Sequence, residues 1–203
     1  MVVVMAIIAL LAALVTPAMS GLLGATGLTA AGNKVTQMAS QARQLAMTRN
    51  TVTALALLGD VGTPGDYRSL AVLEYDSGAG WKLAGAWEQL PAGVLVDYTA
   101  PAVCTFVSLS EGKLPFAQSA PNAGTLPFDY DGTPLSGTTC SLRVFLPNGG
   151  LHDSENPARI RLVEGVKEDD GILYRSPSPA GVPANYYDIS LIGATGIAKV
   201  SRP

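Results

Sequence analysis

The first charged residue of this chain is Lys34: from Met1 to Asn33 there is no Asp, Glu, Lys, Arg or His. Within that stretch Met1 to Val15, MVVVMAIIALLAALV, is apolar without interruption, about 22 Å of helix at roughly 1.5 Å per residue. A helix apolar all round needs an apolar surround on every side. Continued through Pro17 and the weakly polar, Gly-rich segment to Leu28, the block reaches the length that spans a hydrocarbon core of roughly 30 Å. A secretory signal peptide would begin with a basic n-region, and none precedes the block. A buried core helix would need more domain around it than the rest of the chain can build. Residues 1–28 therefore read as a membrane-inserted helix.

From Thr29 the apolar positions fall to a helical spacing. Val35, Met38, Ala42, Leu45 and Ala46 recur at three and four, with Lys34, Gln37, Gln41, Arg43 and Gln44 on other faces. Residues 29–50 are expected to continue the same helix as an amphipathic half that packs one stripe on a head domain. Pro17 removes a backbone donor and Gly21, Gly24, Gly27 and Gly32 weaken the middle, which predicts a bend or a melted turn there.

After Asn50 the texture changes to short β-branched or aromatic runs: Val52–Leu58, Leu70–Tyr75, Val94–Tyr98, Cys104–Leu109, Cys140–Leu146, Ile160–Glu164, Ile172–Arg175 and Tyr187–Ile192. Turn signals separate them, and the Pro-rich stretches 113–127 and 176–184 read as loops. With no helical pattern between the runs, residues 51–203 are expected to form an antiparallel, two-sheet, sandwich-like head. The fold class is thus α+β. Charged residues make up only 14% of the chain, against roughly 25% in ordinary soluble domains. The net charge of −3 gives no global footprint for a nucleic-acid backbone, and one histidine with two cysteines cannot build a zinc finger.

The block MVVVMAIIALLAALVTP is similar to the N-terminal helix of type IV pilins and type II secretion pseudopilins, which also ends at a proline, here Pro17. The segment containing Ala42, Arg43, Ala46, Arg49, Asn50 and Val52 resembles the helix end and first strand of GspH/FimT-like minor pseudopilins. Trp87, Leu90, Pro91, Gly93 and Val94, then Phe145, Pro147, Asn148 and Gly149, then Thr195, Gly196, Lys199 and Val200 follow in that family's order. Pilin-like cassette proteins of verrucomicrobial bacteria share the layout. The resemblance implies a pilin-like fold and a structural minor subunit of a type IV filament or type II secretion-like system. Such a subunit is stored as a single-pass protein in the bacterial inner membrane, with its head in the periplasm or outside. Its partners would be other pilin or pseudopilin subunits. A prepilin peptidase would act at a glycine followed by Phe-Thr-Leu-Ile-Glu upstream of Met1, with N-terminal methylation.

Assembly would run through Met1, Val4, Ala6, Ile8, Ala9, Ala12, Ala13 and Pro17, where small residues permit close helix approach. The alternative is a membrane-anchored β-sandwich binding an extracellular polymer, or DNA in the FimT manner. Arg159, Arg161, Arg175, Lys199 and Arg202 are the cations available for DNA, which is the less favoured partner. No catalytic, metal or cofactor site is expected. His152 beside Asp153 and Glu155 reads as a loop histidine. Asp129 and Asp131, and Glu168 to Asp170, read as Asp-Gly hairpin turns rather than calcium loops. Cys104 and Cys140 both begin strand-like runs, and an exported domain meets an oxidising compartment, so a disulfide between them is expected over two buried thiols.

Overall fold

The structure is a computed structural model. It describes the backbone of residues 2–108, 125–136, 139–153 and 158–202, and side chains throughout these except at 2–25, 107–108, 125–128 and 136.

One helix, α1 (Val2–Arg49), runs for 48 residues. It continues through Pro17 and every glycine, so the expected melted turn does not form; the ladder on either side outlasts the one missing donor. Its end is specified chemically. Asn50 takes the left-handed conformation with φ 49°, and the Thr51 N–H reaches back to the Ala46 carbonyl at 3.1 Å, a Schellman closure.

Every strand pairing among the described residues is antiparallel, as expected. In the first sheet β1 (Thr53–Leu58) lies between β2 (Ser69–Asp76) and β8 (Cys140–Phe145), and β3 (Gly80–Leu83) and β4 (Glu88–Gln89) extend β2. In the second, β9 (Ala158–Glu168) pairs with β11 (Tyr186–Leu191), which pairs with β12 (Ala198–Ser201). The same strand β9 also pairs with β5 (Val94–Val96) and β10 (Gly171–Tyr174). The separate hairpin β6 (Thr125–Tyr130) and β7 (Thr133–Ser136) closes at Asp131 and Gly132, both at positive φ, as the Asp-Gly signal requires.

Two apolar clusters result. One is shared by the helix stripe (Leu28, Ala31, Val35, Met38, Ala42, Ala46) and the inward faces of both sheets, with Leu55, Leu57, Val94, Ile160, Leu162 and Ile189. The other lies on the opposite face of the first sheet, where Ala54, Ala56, Leu58, Trp81 and Cys140 pack with Tyr130 and Leu135 of the hairpin.

One expected strand is not one. Residues 104–109 contain α2 (Thr105–Ser108) instead. Chain reversal at Ala100, whose carbonyl accepts from the Val103 and Cys104 N–H groups, turns the segment before it can join a ladder. Its side chains then serve the edge of β9: Thr105 Oγ1 accepts from the Arg159 N–H at 2.9 Å and Cys104 Sγ from the Arg161 N–H at 3.5 Å. Of the Pro-rich stretch 113–127, residues 113–124 lie outside the described residues and 125–127 open β6.

Candidate assembly site at the helix and its seat

The second half of α1 is held at both ends and along one stripe. At its C-terminal end, three segments far apart in sequence converge. Arg43 Nε donates to the Thr195 carbonyl at 2.6 Å. Gly149 lies against the same helix turn, where a Cβ would stand 2.8 Å from Met47 Sδ. Gly196 closes the junction: a Cβ there would lie 2.3 Å from the Gly149 carbonyl oxygen and 3.1 Å from the Phe145 ring, and its φ is 64°. The motifs around Arg43, Phe145–Gly149 and Thr195–Gly196 are therefore one structural unit, a seat for the helix end. Below it Thr53 Oγ1 donates to the Ala42 carbonyl at 2.7 Å, and Arg49 pairs with Glu74 at 2.5 Å.

Near Leu28 a second set of contacts forms. A Cβ on Gly27 would meet Val94 Cγ2 at 3.8 Å, and Lys34 Nζ donates to the Gln89 carbonyl at 2.9 Å while pairing with Glu88 at 3.1 Å. The Tyr187 ring fills the space over Gly32, where a Cβ would lie 2.2 Å from its Cε1. Gly32 thus permits a close approach rather than weakening the helix. Arg202 packs on the same ring, its guanidinium carbon 4.6 Å from the Tyr187 ring centroid and its Nη2 donating to Thr29 Oγ1 at 2.9 Å. The sequence carries no local signal for this clip, because Gly32, Tyr187 and Arg202 meet only through the tertiary fold.

The three cations of this half, Lys34, Arg43 and Arg49, are all engaged by the head. Its exposed positions from Thr26 to Thr48 are Thr26, Ala30, Asn33, Gln37, Ser40, Gln41, Gln44, Met47 and Thr48, all without charge, and Arg49 at the helix end is exposed as well. Of the expected assembly residues, Met1 lies outside the described residues. Val4, Ala6, Ile8, Ala9, Ala12, Ala13 and Pro17 are on the α1 backbone, with side chains outside the description. Among the described residues no helix is long and apolar enough to cross a membrane; of the expected span, 1–28, the backbone from residue 2 and the last three side chains are described.

The disulfide expectation is corrected. Cys104 and Cys140 are buried and not joined by a disulfide, and they belong to different apolar clusters: Cys104 to the core under the helix, Cys140 to the one beneath the hairpin. The first sheet separates the two clusters. Burial pushes the Cys140 thiol up to about 12, against a smaller opposing effect of its hydrogen bond with Thr139.

The candidate DNA-binding cations do not form one free patch. Cross-strand register aligns Arg159 with Ser190 and Ser190 with Lys199, so these two exposed cations share a row on the outer face of the second sheet. Arg161, one row along, is engaged by Asp188 through two hydrogen bonds of 2.8 Å and lies 3.9 Å over the Tyr186 ring; the Asp188 bonds, ahead of burial, raise its pKa. Arg202 is held at the helix and Arg175 follows β10. His152 and Asp153 are exposed, Glu155 lies outside the described residues, and among the described residues no group of His, Cys, Asp and Glu could hold a metal ion.

No family model matches the chain, and a search of curated proteins finds no match. Among solved structures, it is similar to the minor pseudopilin EpsH from the Type 2 Secretion System of Vibrio cholerae, at 11% identity and a TM-score of 0.46 over 87% of this chain and 97% of that one. A crystal structure of EpsH from the type II secretion system of the same organism matches at 12% identity and a TM-score of 0.45, over 88% and 97%. The order here, one long N-terminal helix and then antiparallel sheets, is the α+β arrangement expected from the sequence.

Proposed function

We propose that this chain is a structural, non-catalytic subunit of a type IV filament or type II secretion-like assembly, a minor pilin or pseudopilin. It would be stored in a membrane by its apolar block and enter the assembly through its helix. One observation carries the reading. The uncharged stretch does not end functionally at Asn33: each later cation of α1 has a partner in the head, in Glu88, Thr195 and Glu74, and although Arg49 at the helix end stays exposed, the exposed positions from Thr26 to Thr48 carry no charge. A helix face meant only for solvent has no physical need to hide its charges, whereas a face that packs on neighbouring helices does, because an unpaired buried charge is strongly destabilising. Small and uncharged polar side chains on that face also suit close helix packing.

The test is a charge placed on the outward face. Gln37→Lys with Gln41→Lys should leave the thermal midpoint and membrane recovery of the subunit near wild type, since both positions are exposed, and should strongly reduce its recovery in sheared filaments or crosslinked complexes. Unchanged incorporation would remove the reading. A DNA-binding module has less support, since of its candidate cations Arg161 and Arg202 are already engaged within the chain.

A further inference from the structure

The end of the head where α1 leaves it carries a loop without charge. Strand β9 sets the level of the elements around it. Val94, paired with Glu164, stands 3.8 Å from a Cβ placed on Gly27, and Tyr187, paired with Leu162, fills the space over Gly32. From Leu162 to Glu164 is roughly 6.6 Å of strand, and from Gly32 back to Gly27 about 7.5 Å of helix, so strand and helix run side by side here. At the far end of the head the same helix meets the Thr195 carbonyl through Arg43. Between β10 and β11 the chain makes an excursion over residues 176–185. It leaves the edge of β9 after Arg175, whose N–H donates to the Glu164 carbonyl at 2.9 Å, and returns at Tyr186, opposite Val163. The base of the loop is therefore level with Gly27 to Gly32, where the uncharged block enters the head.

The loop reads SPSPAGVPAN, with no charged residue. All of it except Ser178 and Pro183 is exposed, Val182 to 55%. It is folded on itself: Pro177 and Pro183 form a bridge, the Ser178 N–H donates to the Val182 carbonyl at 2.7 Å, the Gly181 N–H to Ser178 at 2.9 Å and the Ala184 N–H to Ser176 at 3.0 Å. Gly181, at a φ of 74°, makes the turn at the tip. The three prolines have no N–H, and Ser178, Gly181 and Ala184 use theirs inside the loop. Water would solvate free donors and charges at no cost, whereas a less polar layer penalises each of them.

We propose that loop 176–185 rests in the headgroup layer of the bilayer that α1 enters, with Val182 toward the lipid. The inference rests on the reading of residues 1–28 as membrane-inserted, and that helix identifies the occupant, because the surface it emerges from lies beside the base of the loop. The charges at that level, Lys34, Arg175 and Arg202 against Glu88 and Glu164, do not repel an anionic surface.

The experiment uses the full chain in vesicles of phosphatidylethanolamine and phosphatidylglycerol. An NBD fluorophore on Val182→Cys is compared with one on Ala194→Cys, in the turn beside Thr195 at the far end of the head. Both positions are exposed, and the buried Cys104 and Cys140 make the unsubstituted protein the blank. Lipid spin-labelled at the headgroup should quench the label at 182 at least threefold more than that at 194, and aqueous iodide should quench it at least threefold less. Flotation with the vesicles reports the anchor separately. A chain that floats and shows equal quenching at the two positions overturns the loop contact and leaves the anchor standing, while a chain that does not float overturns both. A label at 182 open to iodide in vesicles but shielded in crosslinked complexes would give the loop to a neighbouring subunit and overturn the proposal as well.

Discussion

The two sheets of the head are built on different terms. In the first, β1 is buried at all six positions: Leu55 and Leu57 face the helix, while Ala54, Ala56 and Leu58 face the cluster beneath the hairpin. In the second, β11 alternates half-buried and buried positions, with Tyr187, Ile189 and Leu191 under the helix and Tyr186, Asp188 and Ser190 outside. A sheet covered on both faces has an uninterrupted apolar run and no surface left for a partner. A sheet covered on one face keeps a polar outer row, and here that row holds Arg159, Arg161, Asp188 and Lys199. Both sheets thus seat the helix, and only the second keeps an open face, which carries the surface chemistry of the head.

Substitutions can break that contrast, beginning where the effect should be greatest. Leu57→Ala, in β1 under the helix, should cost about 2–5 kcal/mol, as truncations in tightly packed cores do, read as a fall in the denaturation midpoint. A loss no larger than that of an exposed substitution would show the first sheet to be loosely packed. The next effect depends on pH. An unfolded cysteine titrates near about 8.5, and the folded Cys140 thiol is raised to about 12 by burial. The folded state then holds this proton where the unfolded one has lost it. The contribution is therefore whole below about pH 8.5 and is lost as pH rises toward 12. Denaturation midpoints should fall across that window and fall less in Cys140→Ala, and both thiols should be inert to alkylation when folded yet react without reductant when unfolded. Alkylation of neither in unfolded, unreduced protein would restore the disulfide. Smallest of all, Arg159→Ser on the open face of the second sheet should stay within about 0.5 kcal/mol of wild type; a larger loss would mean that this face is structural.

Much of this was legible because local chemistry decided it. The helix was visible from Val35, Met38, Ala42 and Ala46 at helical spacing, and the Asp131-Gly132 hairpin from its turn signal. What stayed hidden depended on tertiary partners. Residues 104–109 have a strand-like composition, yet Thr105 and Cys104 serve the β9 edge with side chains. The short strands β3, β4 and β12 have too few residues to show a period and form because β2 and β11 offer edges. Cysteine spacing could not reveal that Cys104 and Cys140 lie on opposite sides of a sheet. At the site, the motifs around Arg43, Gly149 and Gly196 could be quoted from the sequence, but their convergence on one helix turn needed the fold.

If α1 is an assembly surface as well as an anchor, as we propose, leucine substitution separates the two roles. Replacing Ala9, Ala12 and Ala13 together by leucine keeps the segment apolar, so membrane insertion should be at least as good as in wild type. A packed bundle of helices would instead be overfilled, at about 1–3 kcal/mol for each badly placed side chain, repeated at every contact. The measurement is recovery of the subunit in sheared filaments or crosslinked complexes, set against its abundance in the membrane. The variant should remain in the membrane and drop out of the assembly. Equal recovery of variant and wild type in the assembly would contradict it.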